Sequence, residues 1–282
     1  MEHGSIVSAQ IICERVIIRR LEAKVLAGRK TPILQMAHDE SMSGGDRFPL
    51  TRWSVIEGAR SSDEVERSRA IETICRAYWK AVYKYVRLRW NRATEDAQDL
   101  TQGFFAEMLG RELLSRFDPG KSRLRTYLRL CVDSFVMNED KAERRQKRGG
   151  DVHHLALDFN GAEAELGTID AGAIASAESL DEFFEKEWIR SLFTLAVEEL
   201  REQAVERGKE RAFRFFEAYD LEGDISYQKL AKESGVPVND VTNGLAWARR
   251  EFRRIALERL REVCGSEAEF RREARATFGR EG

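Results

Sequence analysis

The chain has 282 residues, 42% of them hydrophobic, which is long enough for two small domains and apolar enough to build a core in each. Its 47 basic and 49 acidic side chains leave a formal charge of −2, so net charge says nothing about a nucleic-acid partner and the distribution along the chain has to be read instead. No apolar run reaches the roughly 18 residues of a membrane span, and the first residues lack the apolar core and small-residue cleavage site of a secretory signal.

From 62 to 90 the pattern is helical, with Ile71, Ile74, Tyr78, Val82 and Tyr85 at three- and four-residue intervals and Arg67, Arg69, Lys80 and Arg87 turned elsewhere. Trp79, Tyr83 and Tyr85 have the chemistry of a base-stacking platform, but aromatics at helical spacing are expected to pack a core. After a break at Asn91 and Arg92, the stretch TEDAQDLTQGFFAEMLG at 94–110 predicts a helix capped by Thr94, with Glu95 and Asp96 in its first turn. Ala97, Leu100, Phe104, Met108 and Leu109 are expected to face a core and Asp96, Asp99, Gln102 and Gly103 to face outward, toward a partner. The turn FDPGKSR at 117–123 hands over to a helix with a predicted buried stripe of Leu124, Tyr127, Leu128, Cys131 and Phe135. Arg123, Arg125, Arg129, Lys141, Arg144, Arg145, Lys147 and Arg148 run beside it as a basic series.

Residues 151–187 are acidic, with Asp158, Glu163, Glu165, Asp170, Asp181 and Glu185 facing almost no lysine and with Gly and Ala supplying no core; the stretch reads as a flexible linker. A second domain opens near Leu180, where Phe183, Phe184, Trp188, Leu192 and Phe193 are expected to bury, followed by Phe213, Phe215 and Phe216. Ser226 then caps a short helix, Gly235 closes it, Val236 and Pro237 turn, and Asn239 or Asp240 caps the next. This is a helix-turn-helix. The expected outward face of its second helix is Thr242, Asn243, Trp247, Arg249, Arg250, Arg253 and Arg254. Asparagine pairs with adenine edges, threonine reaches a base or thymine methyl, and arginines suit phosphates.

Catalytic and metal chemistry find no support. His153 and His154 are adjacent and so point apart, and no phosphate-cradling loop or nucleophile–histidine set is present. Cys13, Cys75, Cys131 and Cys264 lack paired spacing and read as free thiols of a reducing cytosol. No cofactor, metal or enzyme activity is expected, and the expected location is cytoplasmic.

DAQDLTQGFF followed by a basic helix resembles the polymerase-binding segment of bacterial sigma factors, in particular the extracytoplasmic-function group of the sigma-70 family. FPLTRWSVI at 48–56, RAYWKAVYKYVR at 76–87 and the helix-turn-helix extend the resemblance over roughly 48–260. It implies an all-α chain of two small helical domains joined by the acidic linker: 48–150 like sigma region 2, 151–179 linker, 180–265 like sigma region 4 and 266–282 a tail. It implies core RNA polymerase and promoter DNA as partners, with room for an anti-sigma protein or other regulator, and no membrane. Asp96, Asp99 and Gln102 match the polymerase contact, with Gly103 in place of a common acidic residue. Arg123, Arg125, Tyr127, Arg129, Asn138, Arg144 and Arg145 match the −10 contacts, where the family captures unstacked bases and holds phosphates. Thr242, Asn243, Trp247, Arg249, Arg250 and Arg253 match the −35 contacts, with Gly244 where many members carry a larger polar or basic residue. The family's connector passes through polymerase, where an acidic strand imitates nucleic-acid charge; a plain soluble spacer is the other reading.

Residues 1–47 have no counterpart in the family and are expected to be a poorly ordered extension. Their run IICERVIIRRLEAKVLAGRK is either a basic arm for DNA or polymerase or the result of a start placed upstream of Met36 or Met42. A helix-turn-helix regulator working without polymerase, or a helical interaction scaffold, remains open beside the sigma reading.

Overall fold

The computed structural model describes residues 55–109, 112–143, 157–167, 177–223 and 225–278. The extension 1–47, the basic tail with Arg144 and Arg145, Cys13, and His153 and His154 lie outside them. The described chain is helical, with no strand among the described residues. In order the helices are α1 (Val55–Arg60), α2 (Glu64–Arg89), α3 (Thr94–Leu109), α4 (Glu112–Ser115), α5 (Leu124–Glu143), α6 (Phe159–Leu166), α7 (Ala177–Glu206), α8 (Glu210–Phe216), α9 (Tyr227–Ser234), α10 (Val238–Glu262) and α11 (Glu267–Phe278). A π-helical turn, Glu217–Glu222, continues α8.

The chain forms two compact units. The first contains the described residues of 55–191 and 261–270, the second those of 192–260 and 271–278. The division falls inside the continuous helix α7, not in the acidic stretch where a linker is expected.

In the first unit α2 is the central element. Asp63 caps it by accepting from the Val65 amide at 2.9 Å, and acidic first-turn and basic last-turn residues complement its dipole. Ile71, Ile74, Tyr78, Val82 and Tyr85 are buried as predicted, with α1, α3, α5 and α6 packed around the helix. Tyr83 is buried too, and half-buried Trp79 meets the Phe159 ring edge-on at 5.6 Å, so these aromatics pack and do not form a stacking platform. The helix ends at the predicted break, where Asn91 takes a left-handed φ of 47°.

The acidic stretch is not a spacer over its described part. Asp158 caps α6 by accepting from the Gly161 amide, Phe159 lies between Trp79 and Tyr83, and Ala162 is fully buried. Glu163 accepts from Arg87 Nε at 2.5 Å and from the Tyr83 hydroxyl at 2.6 Å, and Glu165 pairs with Lys80 and Lys84. The compensating cations are on α2 of the same unit, 76 to 85 residues earlier in the sequence. The start of α7 likewise belongs to the first unit: Phe184 packs on Tyr78 and Tyr85, Trp188 stacks on Tyr78 at 5.8 Å, and Lys84 and Glu187 form a buried ion pair at 2.5 Å.

In the second unit Phe252 of α10 meets Phe193 of α7 and Phe216 of α8 at 5.7 and 5.5 Å. The expected tail is helix α11, which serves both units. Glu269 is buried in the first, where its Oε1 accepts from the Leu124 amide at the start of α5, and Phe278 packs on Phe193 in the second.

Candidate nucleic-acid interface

The helix-turn-helix has the expected geometry. Ser226 is extended and its Oγ accepts from the Lys229 amide, and Gly235 adopts φ 63° and ψ 35°, the left-handed closure that glycine takes without steric cost. Leu230 and Ala231 are buried, as are Val241, Leu245, Ala248, Phe252 and Ile255 of α10. The second helix begins at Val238, directly after Pro237 and ahead of the expected Asn239 or Asp240 cap; Asp240 instead lies in the first turn, where its charge complements the helix dipole.

The outward face of α10 is narrower than predicted. Asn243 and Arg250 are exposed, and Trp247 is half-buried. Thr242 is half-buried and its hydroxyl donates to Val238 O at 3.1 Å. Arg253 is half-buried with its guanidinium over the Phe278 ring, and Arg254 is committed to Glu251, Glu258 and Gln203. Arg249 corrects the sequence reading: it is 6% exposed and donates from Nε and Nη2 to the two oxygens of buried Asp220 at 2.8 and 3.0 Å, and from Nη1 to the Tyr227 hydroxyl. Burial alone would lower its pKa, and the Asp220 hydrogen bonds and charge outweigh that and raise it. Gly244 also faces inward. A Cβ there would stand 2.9 Å from the Phe215 ring and 3.4 Å from Ala212, so the glycine permits α8 and α10 to cross closely and is not a vacant reading position.

On α3, Asp96 and Asp99 are exposed, together with Glu95 and Glu107. Gln102 is not outward: it is 9% exposed and its Oε1 has no hydrogen-bond partner. Gly103 lies in the seam with α5, where a Cβ would meet Phe135 at 3.1 Å. The buried face is Ala97, Thr101, Phe104, Phe105 and Met108, with Leu100 and Leu109 only half-buried. The helix presents carboxylates alone, without the predicted amide.

On α5 the buried stripe runs through Leu124, Leu128, Val132 and Val136, and Tyr127, Cys131 and Phe135 flank it half-buried. The Tyr127 hydroxyl donates to Leu113 O at 2.6 Å, and burial, aided by Cys131, pushes the phenol up to about 12. Asn138 is exposed and Arg123 is half-buried and engaged with other groups. Arg125 and Arg129 are paired within the fold, not free. Arg125 Nη2 donates to Glu185 at 2.8 Å and its guanidinium lies over Trp188; Arg129 contacts Asp181 at 2.9 Å, Asp133 at 3.1 Å and the Tyr85 hydroxyl at 3.2 Å.

The participants that the sequence reading missed are therefore Asp181, Glu185, Asp220 and Glu269. Asp181 and Glu185 had a readable signal, since their four-residue spacing on a helix equals that of Arg125 and Arg129. An open hollow of about 600 Å³ beside the start of α9, lined by Tyr219, Ile225, Ser226, Tyr227, Gln228 and Val238, had none. Cys75 and Cys131 are free thiols, with Cys75 pushed up to about 12 by burial and the nearby Glu72. Among the described residues no group of three or more His, Cys, Asp or Glu could hold a metal ion, and no helix is long and apolar enough to cross a membrane. No protein-family model, curated protein or solved structure matches the chain.

Proposed function

We propose that the chain is a sigma factor that binds core RNA polymerase and directs promoter-specific initiation, without catalytic chemistry of its own. The observation that carries the reading is the helix-turn-helix, whose αL glycine turn leaves Asn243 and Arg250 of α10 exposed for a base edge and a phosphate of the −35 element. The acidic outer face of α3, with Asp96 and Asp99, supports a protein partner, because a nucleic acid would be repelled there. On this reading α5 contacts the −10 strand through Asn138, Arg123, Arg125 and Arg129.

A helix-turn-helix regulator that acts without polymerase is the second reading, favoured by the internal pairing of Arg125 and Arg129. Core-polymerase capture followed by run-off transcription on a randomised promoter library separates the two. Capture that Asp99→Arg abolishes without loss of fold is the expected result, since Asp99 lies off the buried stripe of α3. Tight duplex DNA binding with no polymerase capture by the wild-type chain would overturn the sigma reading in favour of the regulator.

A further inference from the structure

Arg125 and Arg129 stand four residues apart, about 6 Å along α5, and Glu185 and Asp181 stand four apart on α7, so the two pairs meet in antiparallel register. The members of each pair differ in exposure. The arginine side chains are 7% and 16% exposed, whereas Glu185 and Asp181 are 40% and 54% exposed. The carboxylates can therefore rotate into water while α7 stays seated through buried Phe184, Trp188 and the Lys84–Glu187 pair. The guanidiniums would stay where they are. Arg125 keeps the face of Trp188, and Arg129 keeps the Tyr85 hydroxyl and Asp133.

We propose that Arg125 and Arg129 form a two-cation site for successive phosphates of a single nucleic-acid strand, held shut in the free chain by Asp181 and Glu185, which the phosphates displace. The proposal rests on the reading of α5 as strand-binding. Held guanidinium forks suit phosphate oxygens, and positioning them in advance removes the ordering cost of binding. Local charge favours closure: with Asp133 included, the cluster holds two cations against three carboxylates. Neutralising Asp181 and Glu185 reverses that sign. The carboxylate ends are 40% and 54% exposed and the arginines keep their other contacts, so at the strength of a solvent-screened pair each displacement lowers strand affinity by only about 1.4- to 5-fold. The closed site thus discourages stray strands and still yields to one presented at high local concentration.

The test uses the full chain without polymerase and a fluorescent single-stranded oligodeoxynucleotide, titrated by anisotropy over a salt series. Asp181→Asn with Glu185→Gln should tighten binding on the order of tenfold, and the salt dependence should steepen by up to about two contacts. Adding Arg125→Gln and Arg129→Gln should erase the gain; Arg125→Lys and Arg129→Lys should keep part of it, which guards against loss of fold, checked by circular dichroism. Unchanged or weaker binding by the first variant would overturn the proposal, as would a gain that survives the Gln replacements. Polymerase capture is read separately, so failure of the sigma reading is distinguishable from failure of this site.

Discussion

Arg249 and Arg250 are neighbours with opposite fates, and replacing each with alanine separates structure from recognition. Arg249 is 6% exposed and fork-bonded to Asp220, itself 3% exposed, so Arg249→Ala strands a buried carboxylate. Breaking such a pair costs about 3–5 kcal/mol, and at about 4–8 °C per kcal/mol for a unit of this size the melting transition should fall by roughly 12 °C or more. Arg249→Lys keeps the charge but loses the fork and should fall between. Asp220→Ala added to Arg249→Ala should recover part of the loss, because the uncompensated charge is gone. Arg250→Ala should leave stability within about 0.5 kcal/mol, weaken binding to all promoters alike and reduce the salt slope by about one. Scanning calorimetry and DNA titrations on the full chain give both readouts. A stable Arg249→Ala protein that lost one salt-dependent contact would refute the assignment and return Arg249 to the DNA face.

Asn243→Ala should cost about 1–3 kcal/mol in promoter binding and relax preference at one or two base positions; uniform loss with unaltered preference would mean the reading residue lies elsewhere. Gly244→Ala should destabilise by about 1–2 kcal/mol, because the clash with Phe215 outweighs alanine's better helix propensity, and Gly244→Val should do worse in thermal melts. Glu163 is held below the ordinary carboxylate range, chiefly by the Arg87 hydrogen bond, so its stabilisation is present above the unfolded value of about 4.3 and is lost as pH falls through the folded one. The stability difference between the wild-type chain and Glu163→Gln, read from denaturant midpoints, should therefore shrink from pH 6 toward pH 3.

Periodicity made the all-α class, the core of α2 and the helix-turn-helix legible, because each rests on local spacing. What charge alone suggested was less secure. Arg249 is four residues after Leu245 and three before Phe252, which places it on the core side of α10, and its charge invited the opposite reading. Gln102, polar but uncharged, is three residues before buried Phe105 and so lies on the core side of α3. The acidic stretch looked like a linker because its partners Lys80, Lys84 and Arg87 lie some 80 residues earlier. Phe159, the one Phe, Tyr or Trp between 151 and 179, preceded by the capping residue Asp158, was the local sign of a docked helix. No spacing rule links Asp220 to Arg249 or Glu269 to the amide of Leu124, since both pairings exist only once the helices have packed.

The threading of α11 has a consequence for how the chain is made. The backbone builds most of the first unit, leaves it at Ser191, builds most of the second, returns to the first for 261–270 and re-enters the second from Arg271. A nascent chain released as far as α5 still lacks Glu269, the acceptor for the first amide of that helix, and a chain released as far as α10 still lacks Phe278. Vectorial synthesis therefore cannot finish one unit before starting the other, and both units wait for α11 to emerge. Nonsense or frameshift lesions between residues 262 and 278 should damage the two units together.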